Sequence, residues 1–345
     1  MKKRILVTGI GGSIATHLFA HIMTNTDWEV LGIDSFRHKG WTDRIVEVCK
    51  NHPDWLDRIT IFTHDLVAPL SPILKGALGR VDYIINMASL SDVEASIHDP
   101  VPFVKNNVDL ALTMLEYAKE ARPEVFIQIS TDEVYGPTET KEDKGVKEWS
   151  PILPSNPYAA SKACQEAIAI SYWRTYDIPL IITNTMNNFG EMQQHSKYPV
   201  MIQKALAKGD KVIVHGTKHE DGTVEFGSRS YIHSRNFSDA LLFIIKNLPP
   251  HKHAPDSVDV PDRYNIAGDR QLDNLELAQL IAKLMGKRDV QYEVVNVHTL
   301  RPGHDRHYGL DMTKLNELGW KSPVGFEDSL KATIEWQQDN PAWIT

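Results

Sequence analysis

Cysteine and long apolar runs are what this sequence of 345 residues has least of. Its two cysteines, Cys49 and Cys164, lie far apart, which argues against a disulfide framework and favours reduced thiols in a cytoplasmic protein. Behind a basic start, the first apolar run covers only residues 5–7 before Thr8 and Gly9 interrupt it. Because such a run is too short for a signal peptide or a membrane span, we expect neither.

Positive charge is also scarce. Lys and Arg number 37 against 45 Asp and Glu, so the net charge of −8 argues against a nucleic-acid-binding surface. The 15 histidines are scattered, and no grouping of His and Cys has the spacing of metal ligands, so no metal is expected. With 42% hydrophobic and 24% charged residues, the chain has the composition of a globular protein with a large core.

Patterns of short buried strands alternate with helix-length segments in the first half of the chain. Strands are predicted at 4–8, 29–33, 59–62, 81–86, 125–130 and 180–184, and helices at 14–23 and 102–121. This alternation predicts an α/β fold with a Rossmann-type doubly wound parallel sheet over residues 1–185. Beyond it, shorter strands and frequent Gly, Pro and His predict a smaller mixed α/β C-terminal substrate lobe over 186–345. Segments at about 235–248 and 262–268 are expected to return to the first domain.

A glycine-rich turn joins the first predicted strand to the first helix. Gly9, Gly11 and Gly12 let backbone N–H groups approach a pyrophosphate, and Ser13 and Ile14 open the helix whose positive end faces it. A tight turn without a ligand is the alternative. The strand before the turn and the helix after it favour a dinucleotide-binding site.

Asp34 ends the second predicted strand, where its carboxylate can bind both ribose hydroxyls of NAD and repel the extra phosphate of NADP. Arg37 and Lys39 follow closely and weaken this distinction, so NAD is favoured without NADP being excluded. Asp65, after the third strand, is a candidate acceptor for the adenine amino group or an ordinary loop acid.

Two polar clusters follow later in the chain. STDEVYG places Asp132 and Glu133 directly after a buried strand, although carboxylates are costly to desolvate, and a capped polar loop is the alternative. In NPYAASKA, Tyr158 and Lys162 lie one helical turn apart and share a face. A lysine there stabilises a tyrosinate, which would make the tyrosine a base for a sugar or alcohol hydroxyl. A surface pair is the alternative.

Taken together, these motifs resemble the extended short-chain dehydrogenase/reductase family, and within it the nucleotide-sugar 4,6-dehydratases of the dTDP-glucose type. The resemblance spans nearly the whole chain and rests on VTGIGGSIA, STDEVYG, NPYAASKA, NNFG, YNIAG, NLE and RPGHDRHYGLD...LGW. The Asp-Glu pair looks like the dehydratases rather than relatives that epimerise or decarboxylate sugars. A nucleotide-sugar 4-epimerase, a UDP-glucuronate decarboxylase and an inactive NAD-binding protein are the alternatives.

The resemblance implies an NAD-dependent lyase of deoxysugar biosynthesis. Tyr158 would take the C4 hydroxyl proton, and Lys162 would support it and bind the nicotinamide ribose. Glu133 would remove the C5 proton, Asp132 would protonate the leaving C6 hydroxyl, and Thr131 would bind the C4 oxygen. The implied substrate is dTDP-glucose first and UDP-glucose second, and the product is the 4-keto-6-deoxyhexose nucleotide.

The family pattern also implies further contacts and an assembly. Ala88 and Asn107 match cofactor-binding positions, as do the glycine turn, Asp34, Asp65, Tyr158 and Lys162. Substrate-binding positions are matched by Ser91, Asn187, Asn188, Lys197, Arg229, Asn265, Arg301 and His304. A homodimer through a four-helix bundle is implied, with helices at about 102–121 and 158–174 as the interface and a small-residue stripe at Ala159, Ala163 and Ala167, which could equally pack on the sheet.

The sequence departs from the family pattern in three places near the expected substrate. Asp92 and Ala95 stand where the family has His and Arg, the segment between 216 and 229 is longer, and Ser230-Tyr231 replaces Asp-Trp. The sequence therefore supports the reaction more firmly than the identity of the hexose or the base.

Overall fold

The computed structural model describes residues 2–140, 145–296 and 307–344. Its strands are β1 (Arg4–Thr8), β2 (Glu29–Asp34), β3 (Ile59–Thr63), β4 (Tyr83–Asn86), β5 (Val125–Thr131), β6 (Leu180–Thr185), β7 (Asn188–Phe189), β8 (Val212–Lys218), β9 (Val224–Phe226), β10 (Ser228–Ser230), β11 (Ile232–His233), β12 (Asp262–Ile266), β13 (Gln271–Asp273) and β14 (Tyr292–Val295). Its α-helices are α1 (Ser13–Asn25), α2 (Thr42–Cys49), α3 (Pro72–Leu78), α4 (Val93–His98), α5 (Pro100–Ala121), α6 (Pro157–Tyr176), α7 (Tyr198–Lys208), α8 (Ser234–Asn247), α9 (Asn274–Leu284), α10 (Thr313–Glu317) and α11 (Phe326–Asp339). Within these ranges, no helix has the length and apolar character needed to cross a membrane.

Seven parallel strands form the central sheet, in the order β12-β6-β5-β4-β1-β2-β3. The predicted Rossmann-type sheet is therefore confirmed. The chain reverses its direction across the sheet between β1 and β4. In open α/β sheets a ligand crevice forms at such a reversal, beyond the carboxyl ends of the strands.

Alternate residues of each central strand pack on opposite faces of the sheet. Ile5 and Val7 face a core that contains residues of α1 and α8, whereas Leu6 faces a core that contains residues of α5 and α6. All three side chains are fully buried. Burying such a side chain stabilises the fold by about 1.5–3 kcal/mol, and burial on both faces explains the continuous apolar runs in the sequence.

Late segments of the chain take two positions in this structure. The strand β12 pairs in parallel with β6 at the edge of the central sheet, and α8 packs against α1. A three-stranded sheet, β14-β8-β9, lies with α7, α9 and α11 around a separate core that includes Val214, Ile281 and Leu330.

A fully buried ion pair ties the edge strand β12 to the helix α6. The guanidinium of Arg263 donates to the carboxylate of Glu166 at 2.7 Å and to the hydroxyl of Tyr135 at 3.1 Å, and it lies over the ring of Trp149. The other Glu166 oxygen accepts a hydrogen bond from Asn184 at 2.9 Å. Removing one partner would leave a buried charge without compensation, which costs far more than the pair contributes.

We expect Arg263→Met to lower the free energy of unfolding by about 3–5 kcal/mol, because Glu166 would be left buried and uncompensated. Urea denaturation monitored by circular dichroism measures this loss. Arg270→Met is the matched control, since Arg270 pairs with Glu327 at 3.3 Å with both side chains about half exposed, and it should cost less than about 1 kcal/mol. Equal losses in the two variants would contradict the expectation.

Candidate active site

The end of β5 carries the two carboxylates of STDEVYG into a short 3₁₀ turn, Asp132–Tyr135. The hydroxyl of Thr131 accepts the backbone N–H of Glu133 and so caps this turn. Asp132 is buried and Glu133 half-buried. The structure therefore places two neighbouring carboxylates in unequal surroundings at the carboxyl edge of the sheet.

The surroundings of Asp132 raise the pKa of its carboxyl group. Burial, and then the charge of Glu133, raise its pKa to about 7. The hydroxyl of Thr131 donates to Oδ1 of Asp132 at 2.9 Å, which opposes that rise without cancelling it. Asp132 can therefore hold a proton near neutral pH, as a general acid must.

Glu133 has a partner that the sequence analysis missed. Nδ2 of Asn156 donates to Oε2 of Glu133 at 2.9 Å, while Oδ1 of the same side chain accepts the N–H of Ala159 and caps α6. Asn before Pro at the start of an apolar helix is a recognisable N-cap signal. This signal could have identified the cap from the sequence, whereas the contact with Glu133 comes from the tertiary fold.

Tyr158 is the second residue of α6, and its phenol lies close enough to Thr131, Asp132 and Glu133 for all three to affect its pKa. Burial raises the pKa of its phenol, and the charges of Glu133 and Asp132 raise it further. This direction is opposite to the lowering that the sequence analysis predicts. Nearby carboxylates oppose a tyrosinate, and spacing along a helix gives no information about them.

Lys162 hydrogen-bonds away from the phenol. Its Nζ donates at 2.6 Å both to the carbonyl oxygen of Ile129 and to Oε1 of Gln165. Burial lowers its pKa to about 8, and the charge of Glu166 works against that lowering. The spacing correctly places Tyr158 and Lys162 on one helix, whereas burial and the two carboxylates control the pKa of the tyrosine.

A row of hydrogen-bonded, buried amide side chains fixes the position of Lys162. Nδ2 of Asn86 donates to Gln128 at 2.9 Å, and Nε2 of Gln128 donates to Oε1 of Gln165 at 3.1 Å. Nε2 of Gln165 then donates to the backbone oxygen of Asn107 at 2.6 Å. The side chain of Asn107 binds both backbone groups of Leu90 and the hydroxyl of Ser161. The amides of this row are fully buried, so they fix the lysine relative to β4 and β5.

The glycine turn has the geometry that a dinucleotide requires. Gly9 has φ of +70°, and a Cβ there would lie 3.1 Å from Cα of Ala88. The N–H of Gly11 donates to Asp34 at 3.0 Å, and Gly12 precedes the first turn of α1, where Ser13 and Ile14 are half-buried. Glycine at position 9 therefore permits both the left-handed backbone and the close approach of the loop that follows β4.

The residues around Asp34 fit NAD better than NADP. Arg37 forms an ion pair with Asp65 at 2.9 Å, and Lys39 forms one with Asp92 at 2.7 Å. Both cations that could have attracted an extra phosphate therefore already have acidic partners. Asp34 is half-buried, so its carboxylate can still reach the ribose hydroxyls of NAD.

The residues predicted to bind substrate are placed unevenly. Lys197 directly precedes α7, and its charged neighbours are Lys39, Asp92 and Glu133. The positive charge of Arg229 lowers the pKa of Asp132, and its guanidinium lies 4.5 Å from the ring centre of Tyr308. Two others, Ser91 and Asn187, are exposed, and Asn188 is half-buried. Asn265 is fully buried and donates to the backbone oxygens of Val146 and Asp311. Arg301 and His304 lie outside the described residues.

Comparisons with known proteins find similar nucleotide-sugar enzymes over nearly the whole chain. The model of the GDP-mannose 4,6 dehydratase family matches residues 6–333. The low-salt glycan biosynthesis protein Agl12 of Haloferax volcanii is 34% identical, over 96% of this chain and 97% of that protein. The dTDP-glucose 4,6-dehydratase of Streptomyces niveus is 30% identical, over 99% of this chain and 94% of that protein. The crystal structure of DesIV, a dTDP-glucose 4,6-dehydratase of Streptomyces venezuelae with NAD bound, has a TM-score of 0.81 and 28% identity, over 99% of this chain and 98% of that one. The cofactor is NAD, as the sequence predicts.

The raised pKa of Asp132 predicts a measurable dependence of stability on pH. Its pKa rises from an ordinary 3.8 to about 7 in the folded protein, so its contribution to stability is fully present below about pH 4 and is lost as pH rises to about 7. Asp132→Asn removes this dependence, and we expect the variant to be more stable than the wild type by about 2–4 kcal/mol at pH 8. Urea unfolding at pH 4 to 8 measures the difference, and a difference that does not change with pH would contradict the expectation.

Proposed function

Because the chain belongs to the nucleotide-sugar 4,6-dehydratases of the extended short-chain dehydrogenase/reductase family, which are NAD-dependent hydro-lyases, we propose that it converts a nucleoside-diphosphate hexose to the 4-keto-6-deoxyhexose nucleotide. The single observation that carries this proposal is the pair Asp132 and Glu133, which differ in burial and lie beside Tyr158. Elimination of water from adjacent carbons needs an acid and a base side by side, and two carboxylates in unequal surroundings supply them.

We assign the protons of the reaction as follows. Tyr158 accepts the proton of the C4 hydroxyl as C4 becomes a ketone, which requires a tyrosinate. The cationic nicotinamide ring of bound NAD⁺ would oppose the carboxylates that raise the pKa of this phenol. The C4 ketone acidifies the C5 proton, which Glu133 removes, and Asp132 protonates the C6 hydroxyl, which leaves as water. A proton then returns to C5, and the proton gained by Tyr158 balances the one that Asp132 gives up.

Bound NAD⁺ would supply a hydride acceptor for C4 and, once reduced, a hydride donor for C6. The protein's part is to hold the groups around that transfer. The glycine turn and Asp34 would bind the adenosine half and the pyrophosphate, while Lys162 would bind the nicotinamide ribose. Thr131, which hydrogen-bonds Asp132 and lies near Tyr158, would bind the C4 oxygen.

We propose dTDP-glucose as the first substrate to test and UDP-glucose as the second. The names of the relatives support a glucose nucleotide, and the cationic Arg229 and Lys197 suit a diphosphate near the carboxylates. Asp92, which pairs with Lys39, occupies one of the positions at which this chain departs from the family pattern. Its charge is the reason to include UDP-, GDP- and CDP-hexoses in the test.

We also propose a homodimer through a four-helix bundle of α5 and α6 from each chain, acting in the cytoplasm. These two helices pack side by side. Of the small residues along α6, Ala159 is fully buried within the chain, Ala163 is half-buried and Ala167 is exposed. The last two would therefore permit close approach of a second helix pair. The cytoplasmic location rests on the two free cysteines, Cys49 and Cys164.

The reaction is tested by incubating the holoenzyme with each nucleotide hexose in heavy water and reading products by mass spectrometry and NMR. The expected product of one sugar has lost one water and carries deuterium at C5. Inversion at C4 without water loss would identify an epimerase instead, and loss of CO₂ from a glucuronate would identify a decarboxylase.

Glu133→Gln should abolish water loss and C5 deuteration while NAD remains bound, because the amide cannot accept the C5 proton. Hydride transfer from C4 should persist, so substrate should produce an absorbance of NADH at 340 nm. Tyr158→Phe is the contrasting variant, in which both the 340 nm signal and water loss should disappear. Normal turnover by Glu133→Gln would disprove the assigned role.

Ala167→Glu should convert the dimer to a monomer, because a charged side chain would be buried at the proposed helix interface. Sedimentation velocity measures the change in mass. Ala332→Glu, on an exposed position of α11, is the control and should leave the mass unchanged. An unaltered dimer in Ala167→Glu would place the interface elsewhere.

A further inference from the structure

The side chain of Asn156 makes two hydrogen bonds in opposite directions. Its Oδ1 accepts the N–H of Ala159 at 2.9 Å, and its Nδ2 donates to Oε2 of Glu133 at 2.9 Å. Asn156 is only 5% exposed. The cap fixes which end of the amide is which, because a backbone N–H needs an oxygen, so the nitrogen must face the carboxylate.

The two carboxylates beside it receive different kinds of donor. Asp132 binds the hydroxyl of Thr131, a group that can either donate or accept and therefore suits a carboxylate or a protonated acid. Glu133 binds an amide N–H, which can only donate. A donor of that kind stabilises a carboxylate and offers nothing to the hydrogen of a carboxylic acid.

We propose that Asn156 is a positioning residue that assigns the base role to Glu133 and leaves the acid role to Asp132. This inference rests on the proposed function and extends it to a residue outside the reacting pair. The two carboxylates are adjacent and repel one another, so one proton between them is favoured at neutral pH. Each carboxylate also has a cationic neighbour, Arg229 for Asp132 and Lys197 for Glu133. The amide of Asn156 decides which carboxylate remains without the proton.

The same side chain also links the two proton-accepting groups of the site. By capping α6, Asn156 fixes the first turn, where Tyr158 is the second residue. The N–H of Tyr158 donates in turn to the hydroxyl of Ser96 at 3.2 Å, which ties that turn to α4. One amide therefore sets the direction of Glu133 and the start of the helix that carries Tyr158.

Two substitutions separate the cap from the contact with Glu133. Serine and aspartate are both good N-cap residues, so Asn156→Ser and Asn156→Asp should preserve the start of α6. Serine lacks the amide that reaches Glu133, and aspartate places a second negative charge against it. Ser71→Asn is the control, since Ser71 caps α3, which carries no residue of the site, and its replacement by another good N-cap residue should change no property of the site.

The first measurement follows kcat/KM for water loss against pH in the wild type and the three variants. We expect the acidic limb of the profile to move upward by about one unit in Asn156→Ser and further in Asn156→Asp, because Glu133 would take up a proton at higher pH. On the acidic limb of the profile, deuterium exchange at C5 should fall about tenfold in Asn156→Ser, because a one-unit rise in pKa lowers the fraction of carboxylate about tenfold there. An unshifted acidic limb in both variants would overturn the inference, because a simple loss of helix stability would lower the rate without moving the profile.

The second measurement does not depend on the reaction. The carboxyl signal of Glu133 in the NAD-bound protein, labelled with ¹³C at the glutamate side chains, is assigned by its loss in Glu133→Gln and titrated without sugar. Its midpoint should rise in Asn156→Ser and rise further in Asn156→Asp, and unchanged midpoints would overturn the inference. If the wild type removes no water from any nucleotide hexose, the proposed function fails, while this titration still decides whether Asn156 holds the charge of Glu133. Should Asn156→Ser fail to fold, Asn156→Asp gives the same comparison.

Discussion

The site depends on one electrostatic constraint: two adjacent carboxylates stand where a buried strand ends. Removing Asp132 from water raises its pKa to about 7, and the remaining polar contacts determine how the pair shares its proton. Thr131 caps the turn and bonds Asp132, and Asn156 bonds Glu133. Each of these contacts has a structural role and an electrostatic role at once, so removing one of these side chains would change the local fold and the chemistry together.

Buried polar contacts hold the helix α6 next to these carboxylates. The amide row from Asn86 to Asn107 and the ion pair of Arg263 with Glu166 both pass through α6. Buried polar groups fix one arrangement, because every alternative would leave a donor or acceptor unpaired. The helix that carries Tyr158 and Lys162 is thereby held from both the sheet and its edge strand.

Sequence reasoning predicted the parts of the molecule that short-range patterns determine. The strand at 4–8 is found at those residues, and the strand predicted at 125–130 is one residue longer because Thr131 continues it into the 3₁₀ turn. The glycine turn and Asp34 lie together as their spacing predicts. Missed were Asn156, Gln165 and the pairing of Arg37 with Asp65, since these contacts join segments far apart in the chain. The pKa of Tyr158 was predicted in the wrong direction for the same reason, because the carboxylates that raise it belong to another element.

The amide of Gln165 has a consequence for how the site exchanges hydrogen with bulk solvent. Water molecules conduct protons by passing them along a chain, because each can donate and accept through the same atom. An amide donates through nitrogen and accepts through oxygen, so it does not conduct in this way. The side chain of Gln165 lies between Lys162 and the backbone oxygen of Asn107, and it insulates the lysine on that side. Protons that reach or leave Lys162 must therefore pass on a side other than that of Gln165.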